Sequence, residues 1–166
     1  DELCTQVNED AMGVSPDGNL LVVADGVSGA PCSAVASSLA VKAALGLYSS
    51  WKEFMLPVLA VPLMRATVEL FRDLGLLGST TLILAHQKQG RLEVAQFGDC
   101  TAMVVRDSRP VFLTWEMQHR NNAPFQMYSR MSEAECCPHL YRFELQDGDT
   151  VCLYSDGIGD NVWPAQ

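Results

Sequence analysis

The chain has 166 residues and a formal net charge of -9, with 48% hydrophobic and 19% charged residues. This length suits one domain with a sizeable core, and the composition excludes a disordered polymer. The acidic balance disfavours direct nucleic-acid binding, because it repels phosphate and no basic stripe offsets it. No apolar run is long enough to span a bilayer, since Pro57 and Pro62 interrupt the segment of residues 56–64.

The first predicted elements are a β-hairpin and two helices. Residues 11–14 and 19–24 are β-prone and are joined by a Pro-Asp-Gly turn, which predicts an antiparallel hairpin. Residues 33–48 are rich in alanine and leucine and predict a deeply packed helix. A second helix is predicted from about Pro62 to Leu74, where Gly75 would end it.

The remainder of the chain predicts an antiparallel sheet. Strands are expected at residues 80–85, 92–97, 101–106, 111–114, 139–145 and 150–154. The stretch 116–138 lacks periodicity and is expected to form a loop or lid. Strands, two helices and then more strands predict an α+β layered fold.

The six cysteines contain no CxxC pair, which favours a reduced intracellular compartment. Cys32, Cys100 and Cys152 lie in or beside apolar segments and are expected to be small buried residues. The three histidines share no zinc-ligand spacing, so structural or surface roles are expected for them.

Several aspartates are predicted to meet at one rim of the sheets. Antiparallel pairing places the entrance of one strand beside the exit of the next, so Asp10 and Asp25 should be close in space. Asp99 and Asp156 each follow a further apolar strand, and Asp160 comes one turn later. A single Asp-Gly pair more often marks a turn. Their joint placement predicts a divalent-cation site, because bare like charges repel and Mg²⁺ and Mn²⁺ prefer oxygen ligands.

Five short motifs carry these acids together with glycines and hydroxyl residues: Asn8-Glu9-Asp10-Ala11, Ala24-Asp25-Gly26-Val27-Ser28-Gly29, Gly78-Ser79-Thr80-Thr81, Gln96-Phe97-Gly98-Asp99-Cys100 and Tyr154-Ser155-Asp156-Gly157-Ile158-Gly159-Asp160-Asn161. In this order they resemble the motifs of the PPM (type 2C) family of metal-dependent serine/threonine protein phosphatases. Residues 118–126 are similar to a loop in the branch that includes mitochondrial and plastid members. The resemblance spans nearly the whole chain.

The resemblance implies one phosphatase-like domain over residues 1–166, with two packed antiparallel β-sheets flanked by helices in an αββα sandwich. It implies hydrolysis of phosphoserine and phosphothreonine in proteins through a binuclear Mg²⁺ or Mn²⁺ centre and a metal-activated water. Its expected partner is a phosphoprotein substrate or a protein complex. An intracellular location is expected, with the mitochondrion favoured over the cytoplasm.

The resemblance also implies roles for individual residues. Asp10, Asp25 and Asp156 would form the catalytic centre, and Asp10 and Asp25 would hold the metal pair. The carbonyl of Gly26 would be a further ligand, Glu9 would act through water, and Asp156 would bind the first metal. A weaker third-metal site would combine three aspartates: Asp99, Asp156 and Asp160.

Three departures from the family's pattern keep other hypotheses open. Thr5 stands where many members have an arginine that grips phosphate, and the candidates to replace it are Arg106, Arg120 and Arg130. Val27 stands where some members have a histidine. The family's closing strand and the aspartate before it are missing from this sequence, which is expected either of a part of a longer chain or of a degenerate domain. The alternatives are a catalytically inactive subunit acting as a binding or assembly scaffold, and a phosphatase domain that regulates another domain of a longer chain.

Overall fold

The structure, a computed structural model, describes residues 8–51, 56–119, 123–159 and 161. Its strands are β1 (Asp10–Val14), β2 (Leu20–Asp25), β3 (Ser79–Thr80), β4 (Leu82–Lys88), β5 (Arg91–Phe97), β6 (Thr101–Arg106), β7 (Arg109–Leu113), β8 (Met127–Tyr128), β9 (His139–Glu144) and β10 (Thr150–Tyr154). Its helices are α1 (Ser33–Trp51), α2 (Leu56–Asp73) and the short α3 (Asp156–Gly159). None of the helices in these ranges is long and apolar enough to cross a membrane.

The strands form two antiparallel sheets that pack face to face. The larger sheet has the order β1-β2-β4-β5-β9, and the smaller has the order β10-β6-β7. The two short strands β3 and β8 pair with each other. Helices α1 and α2 pack on the larger sheet, so the predicted α+β arrangement is confirmed.

The larger sheet has an apolar core on each of its faces. Val22 and Leu84 face the helices, where they pack with Phe71 and other apolar residues. Ile83 faces the smaller sheet, where it packs with Val104. Each such buried side chain contributes roughly 1.5–3 kcal/mol to stability. A slip of one residue would exchange the two faces, so this burial fixes the strand register and with it the position of the acids at the strand ends.

The predicted hairpin is confirmed and its strands pair in an unbroken register from Asp10 opposite Asp25 to Val14 opposite Leu21. The turn between them is held by Ser15, whose hydroxyl donates a hydrogen bond to Asp17 and accepts one from the Leu20 N–H. The strands predicted at residues 92–97, 101–106, 111–114, 139–145 and 150–154 are found within one or two residues of their predicted ends.

Helix α2 begins at Leu56, so its predicted start near Pro62 was wrong. Pro62 lies inside the helix and faces solvent. It removes one backbone hydrogen bond near the start of the helix. The helix continues through it because its buried side chains recur at helical spacing on both sides of the proline. These residues are Leu56, Ala60, Leu63, Met64, Thr67, Val68 and Phe71.

Residues 116–138 are not a lid over the protein in the parts that the structure describes. Met127 lies in β8 and is fully buried, and Met131 and Cys136 are also in the core beneath α2. A single 3₁₀ turn, Glu133–Glu135, precedes Cys136. The irregular spacing of these apolar residues gave no periodic signal, and their burial depends on the pairing of β8 with the distant β3.

The cysteines of the described residues are free thiols. Cys100 is buried as expected, and Cys152 is partly buried. Cys32 is exposed, so the expectation that it is buried was wrong. It precedes α1 in a left-handed backbone conformation with φ of 62°, and this turn directs the residue outward rather than into the helix core.

Candidate metal centre

The carboxylates predicted from the sequence to converge do so between the two sheets. Asp10 lies directly opposite Asp25 in the β1–β2 pair. Strand alternation places Asp25 on the face of β2 that carries Val23 and looks toward the smaller sheet. Asp156 begins α3, directly after the last strand of that smaller sheet. The Asp25 carboxyl lies close enough to those of both Asp10 and Asp156 to hydrogen-bond with them when one of the pair carries a proton.

The electrostatics of this cluster are unfavourable for three ionised carboxylates. Burial, the charges of Asp10 and Asp156 and hydrogen bonding with both residues together raise the pKa of Asp25 to about 8. Asp25 therefore tends to carry a proton at neutral pH when no cation is present. A bound divalent cation would displace that proton and neutralise the repulsion.

The backbone of Asp25 is held by two threonines from the next segment of the sheet. Its N–H donates to the Thr81 hydroxyl at 3.0 Å, and its carbonyl accepts from the Thr81 N–H at 2.8 Å. The Thr80 hydroxyl donates to the same carbonyl at 2.9 Å. These bonds divide the strand predicted at residues 80–85 into β3 and β4, with Thr81 between them. Asp25 is thus fixed at the strand end rather than left on a loose loop.

Gly26 is required by the close approach of two other backbone segments. A side chain here would place a Cβ 2.6 Å from the Ser33 carbonyl oxygen and 2.8 Å from that of Glu9. The Gly26 N–H donates to the Glu9 carbonyl at 3.0 Å, which ties the residue after Asp25 to the residue before Asp10. The carboxylate of Glu9 itself accepts a hydrogen bond from the Ser28 hydroxyl at 2.9 Å.

Asp99 lies in the turn that joins the two sheets and is only 4% exposed. Gly98 makes this turn with φ of 110°, and a Cβ there would lie 2.5 Å from the Thr81 side chain. The Asp99 carboxylate accepts a long hydrogen bond of 3.4 Å from the side-chain amide of Gln118. Burial raises the pKa of the adjacent Cys100 thiol, and the charges of Asp25, Asp99 and Asp10 also raise it. All three aspartates therefore lie close enough to one buried thiol for their charges to act on it.

The residues present fit partly hydrated divalent cations. Within the described ranges, no three Asp, Glu, His or Cys side chains are arranged to hold one metal ion by themselves. Mg²⁺ usually keeps several waters and takes only one or two carboxylates, so the paired aspartates supply suitable ligands. Asp160, the third predicted ligand of the weaker site, lies outside the described residues.

The arginine candidates for phosphate binding are not brought to this cluster by any described contact. Arg106 donates two hydrogen bonds to Asp149, at 2.7 and 2.8 Å, at the opposite end of the sheets, and its guanidinium stacks over Phe143. Arg130 is exposed in the turn after β8. Arg120 and the departure Thr5 lie outside the described residues.

Sequence reasoning missed the neutral side chains that contact the acids. Ser155 donates to the Oδ2 atom of Asp10 at 2.9 Å, in addition to the contacts of Ser28 and Gln118 described above. The available signal was a hydroxyl residue directly before Asp156 and another shortly after Asp25. The motifs contained these serines, but nothing in the spacing revealed which carboxylate each one would reach.

Comparison with known proteins gives a consistent result. A family model described as Protein phosphatase 2C matches residues 5–165. The chain is 33% identical over 88 residues to Probable protein phosphatase 2C 26 of Arabidopsis thaliana. This alignment covers 52% of this chain and 30% of that protein. It is 36% identical over 101 residues to the mitochondrial Protein phosphatase 2C homolog 7 of Saccharomyces cerevisiae, which covers 51% of this chain and 29% of that protein.

A solved structure supports the fold over almost the full chain. The catalytic domain of the serine threonine protein phosphatase PstP, in complex with two manganese ions, superposes with a TM-score of 0.79 at 23% identity. The match covers 96% of this chain and 76% of that domain. In contrast, the chain spans about a third of the length of the curated relatives it matches.

Proposed function

Because this chain belongs to the protein phosphatase 2C family, we propose that it hydrolyses phosphoserine and phosphothreonine in proteins with the aid of two Mg²⁺ or Mn²⁺ ions. The observation that carries the proposal is the contact of Asp25 with both Asp10 and Asp156, where burial and these two neighbours together raise its pKa to about 8. Carboxylates whose pKa is strongly perturbed by burial and by neighbouring charges are typical of functional sites. The two manganese ions of the PstP catalytic domain support the choice of cation.

We propose the ligands that the resemblance to the family's motifs implies for these positions. Asp10 and Asp25 hold both cations, the Gly26 carbonyl adds one ligand, and Glu9 acts through water. Asp156 binds the first cation. A weaker third site combines three aspartates, of which Asp160 lies outside the described residues: Asp99, Asp156 and Asp160.

Two cations in such a site supply charge that lowers the pKa of a water and neutralises phosphoryl oxygens. The chain's own residues arrange that chemistry. Thr80 and Thr81 hold the Asp25 backbone, and Gly26 leaves room for the approach of neighbouring carbonyls. The Cys100 thiol is buried, and its pKa is raised, so it stays protonated and is unsuited to act as a nucleophile.

The test is hydrolysis of a phosphothreonine peptide as a function of Mn²⁺ concentration. We expect turnover that requires the cation and is lost at least about 100-fold in Asp25→Ala and Asp156→Asn, because each change removes a ligand. The control is Asp147→Asn, which changes an exposed acid in the turn between β9 and β10 at the opposite end. Equal turnover in Asp25→Ala and in the unchanged protein would contradict the proposal.

A catalytically inactive phosphatase-like scaffold is the second candidate. It is favoured by the pKa of Asp25, since a proton on this carboxylate lets the cluster exist without any cation. A folded protein that neither binds Mn²⁺ nor hydrolyses the peptide would favour this candidate. Its partners would then be identified as members of the complex that it joins, rather than as substrates that lose phosphate.

We also propose a mitochondrial location and a phosphoprotein substrate in that compartment. The support is the likeness to the Saccharomyces cerevisiae relative, whose name places it in the mitochondrion. The test is fractionation of cells that express the tagged full-length protein. Recovery outside mitochondria would contradict the location without affecting the proposed chemistry.

A further inference from the structure

Ser155 links the two halves of the candidate metal centre. It is the residue between β10 and α3 and is 9% exposed. Its hydroxyl donates a hydrogen bond of 2.9 Å to the Oδ2 atom of Asp10, which lies 145 residues earlier in the chain. The smaller sheet thereby contacts the carboxylate at the start of β1 through one neutral donor.

The position of this hydroxyl is set by the backbone on both sides. Tyr154 is paired with Thr101 at the end of β10. The Ser155 carbonyl accepts hydrogen bonds from the N–H groups of Ile158 at 3.1 Å and Gly159 at 3.3 Å, which begins α3. The Ser155 hydroxyl and the Asp156 carboxylate are therefore presented by adjacent residues of one short, bonded segment.

This contact limits the orientation of an otherwise exposed side chain. The terminal torsion of aspartate is broad, so an unsupported carboxylate samples many orientations. The hydroxyl donates to one carboxylate oxygen of Asp10, Oδ2, and thereby restricts the rotation of the whole group. Hydrogen bonds to metal ligands are known to orient them and to raise metal affinity.

The donor is also neutral, which matters for a cation site. An arginine in place of Ser155 would neutralise Asp10 and compete with a metal ion. Glu9 and Asp99 likewise accept bonds from neutral side chains, those of Ser28 and Gln118. The cluster is thus oriented without losing the negative charge that attracts cations.

We propose that Ser155 is a positioning residue that holds the Asp10 carboxylate in its cation-binding orientation. This inference rests on the proposed function, in that Asp10 is taken as a metal ligand. Ser155 itself contacts neither substrate nor metal in this proposal. It acts through Asp10 alone.

The test measures Mn²⁺ binding by calorimetry and, separately, the side-chain rotamer of Asp10 by NMR in the metal-free protein. We expect Ser155→Ala to raise the Mn²⁺ Kd by about 10-fold or more and to average the Asp10 rotamer. Ser155→Thr, which keeps the hydroxyl, should restore both. Ser155→Cys keeps the volume with a weak donor and serves if the alanine variant does not fold.

The matched control is Ser15→Ala. Ser15 is also buried and also donates to an aspartate, Asp17, but at the other end of the same hairpin. It should lower the thermal stability while leaving the Mn²⁺ Kd unchanged. The comparison separates a loss of hairpin stability from a loss of ligand orientation.

The outcomes distinguish the inference from the proposed function. If the unchanged protein binds Mn²⁺ and Ser155→Ala binds it equally well, the positioning role is wrong. If the unchanged protein binds no Mn²⁺ but Ser155→Ala still averages the Asp10 rotamer, the proposed function fails and the positioning of Asp10 stands. If the unchanged protein binds no Mn²⁺ and Ser155→Ala leaves the Asp10 rotamer unchanged, both are overturned.

Discussion

The two ends of the larger sheet hold their acidic residues in opposite ways. At one end Asp25 contacts Asp10 and Asp156, and none of the ion pairs found among the described residues involves these three carboxylates. Toward the other end, Glu93 is buried and accepts a hydrogen bond from the Leu56 N–H at 2.7 Å. It also pairs with Arg142 at 3.3 Å. The first arrangement leaves charge to be neutralised from outside, whereas the second neutralises it within the protein.

Two aspartates at opposite ends of the sheets, Asp149 and Asp25, show the same difference in the direction of their pKa shifts. Two hydrogen bonds from Arg106 and one from the Gln146 N–H together lower the pKa of Asp149 to about 2. Burial and neighbouring carboxylates raise the pKa of Asp25 to about 8. The fold therefore stabilises the charged form of Asp149 and destabilises that of Asp25. Acids of the second kind are typical of functional sites.

The largest effect is expected from Glu93→Ala. It would remove the acceptor of the Leu56 N–H at the start of α2 and leave Arg142 without this partner. We expect the free energy of unfolding to fall by about 2–4 kcal/mol, because a buried and paired carboxylate is lost. Urea unfolding measures this change.

Glu144→Ala is the control for that experiment. Glu144 also pairs with an arginine, Arg91, at 2.8 Å, but both side chains are largely exposed, at 73% and 46%. Its loss should change the stability by less than about 1 kcal/mol. Equal destabilisation by the two variants would remove the contrast drawn between buried and exposed pairs.

A smaller effect of opposite sign is expected from Asp25→Asn in the metal-free protein. The pKa of Asp25 rises from 3.8 to about 8 on folding, so the folded state binds this proton more tightly than the unfolded state. Stability from this group is present below pH 4 and is lost as the pH rises toward 8. Asparagine does not titrate, so the variant should be more stable at pH 8 by about 1–2 kcal/mol, after discounting for partial exposure.

Calorimetry with a chelator at pH 4 and pH 8 tests this expectation. Asp147→Asn, at an exposed acid, should show no comparable gain. A loss of stability at pH 8 in Asp25→Asn would mean that Asp25 stabilises the fold as Glu93 and Asp149 do. The acidic residues at the two ends of the sheet would then affect stability in the same way.

The sequence predicted the acid cluster because its positions follow from local rules. The Pro-Asp-Gly turn and two β-prone runs define the hairpin, and antiparallel pairing alone then places Asp10 opposite Asp25. The turn glycines and apolar runs located most of the remaining strands for the same reason. These features depend on residues close together in the chain.

The features that sequence reasoning missed depend on residues far apart. Pro62 suggested a helix start, but the burial of Leu56 and Ala60 before it extended the helix. The Ser155–Asp10 bond spans 145 residues, and no spacing rule identifies such a partner. Arg106 was a candidate for phosphate binding until its pairing with Asp149 placed it at the other end.

The smallest effect is expected from His86, which lies directly opposite Glu93 in the sheet. The Tyr48 hydroxyl is 3.4 Å from its Nε2 atom, and Tyr48 also donates to Asp17. Burial lowers the pKa of His86, although the charges of Glu93 and Asp17 oppose this effect and that of Lys88 adds to it. The folded state therefore favours the neutral ring.

Stability from this group is complete above its unfolded pKa of about 6.5 and is lost as the pH falls below that value. We expect the melting temperature of the unchanged protein to fall by a few degrees more between pH 7.5 and 5.5 than that of His86→Gln. His139→Gln, at an exposed position, should follow the unchanged protein. If His86→Gln also follows it, then Glu93 and Asp17 stabilise the charged ring enough to cancel burial, and the paired end of the sheet tolerates protonation better than the geometry indicates.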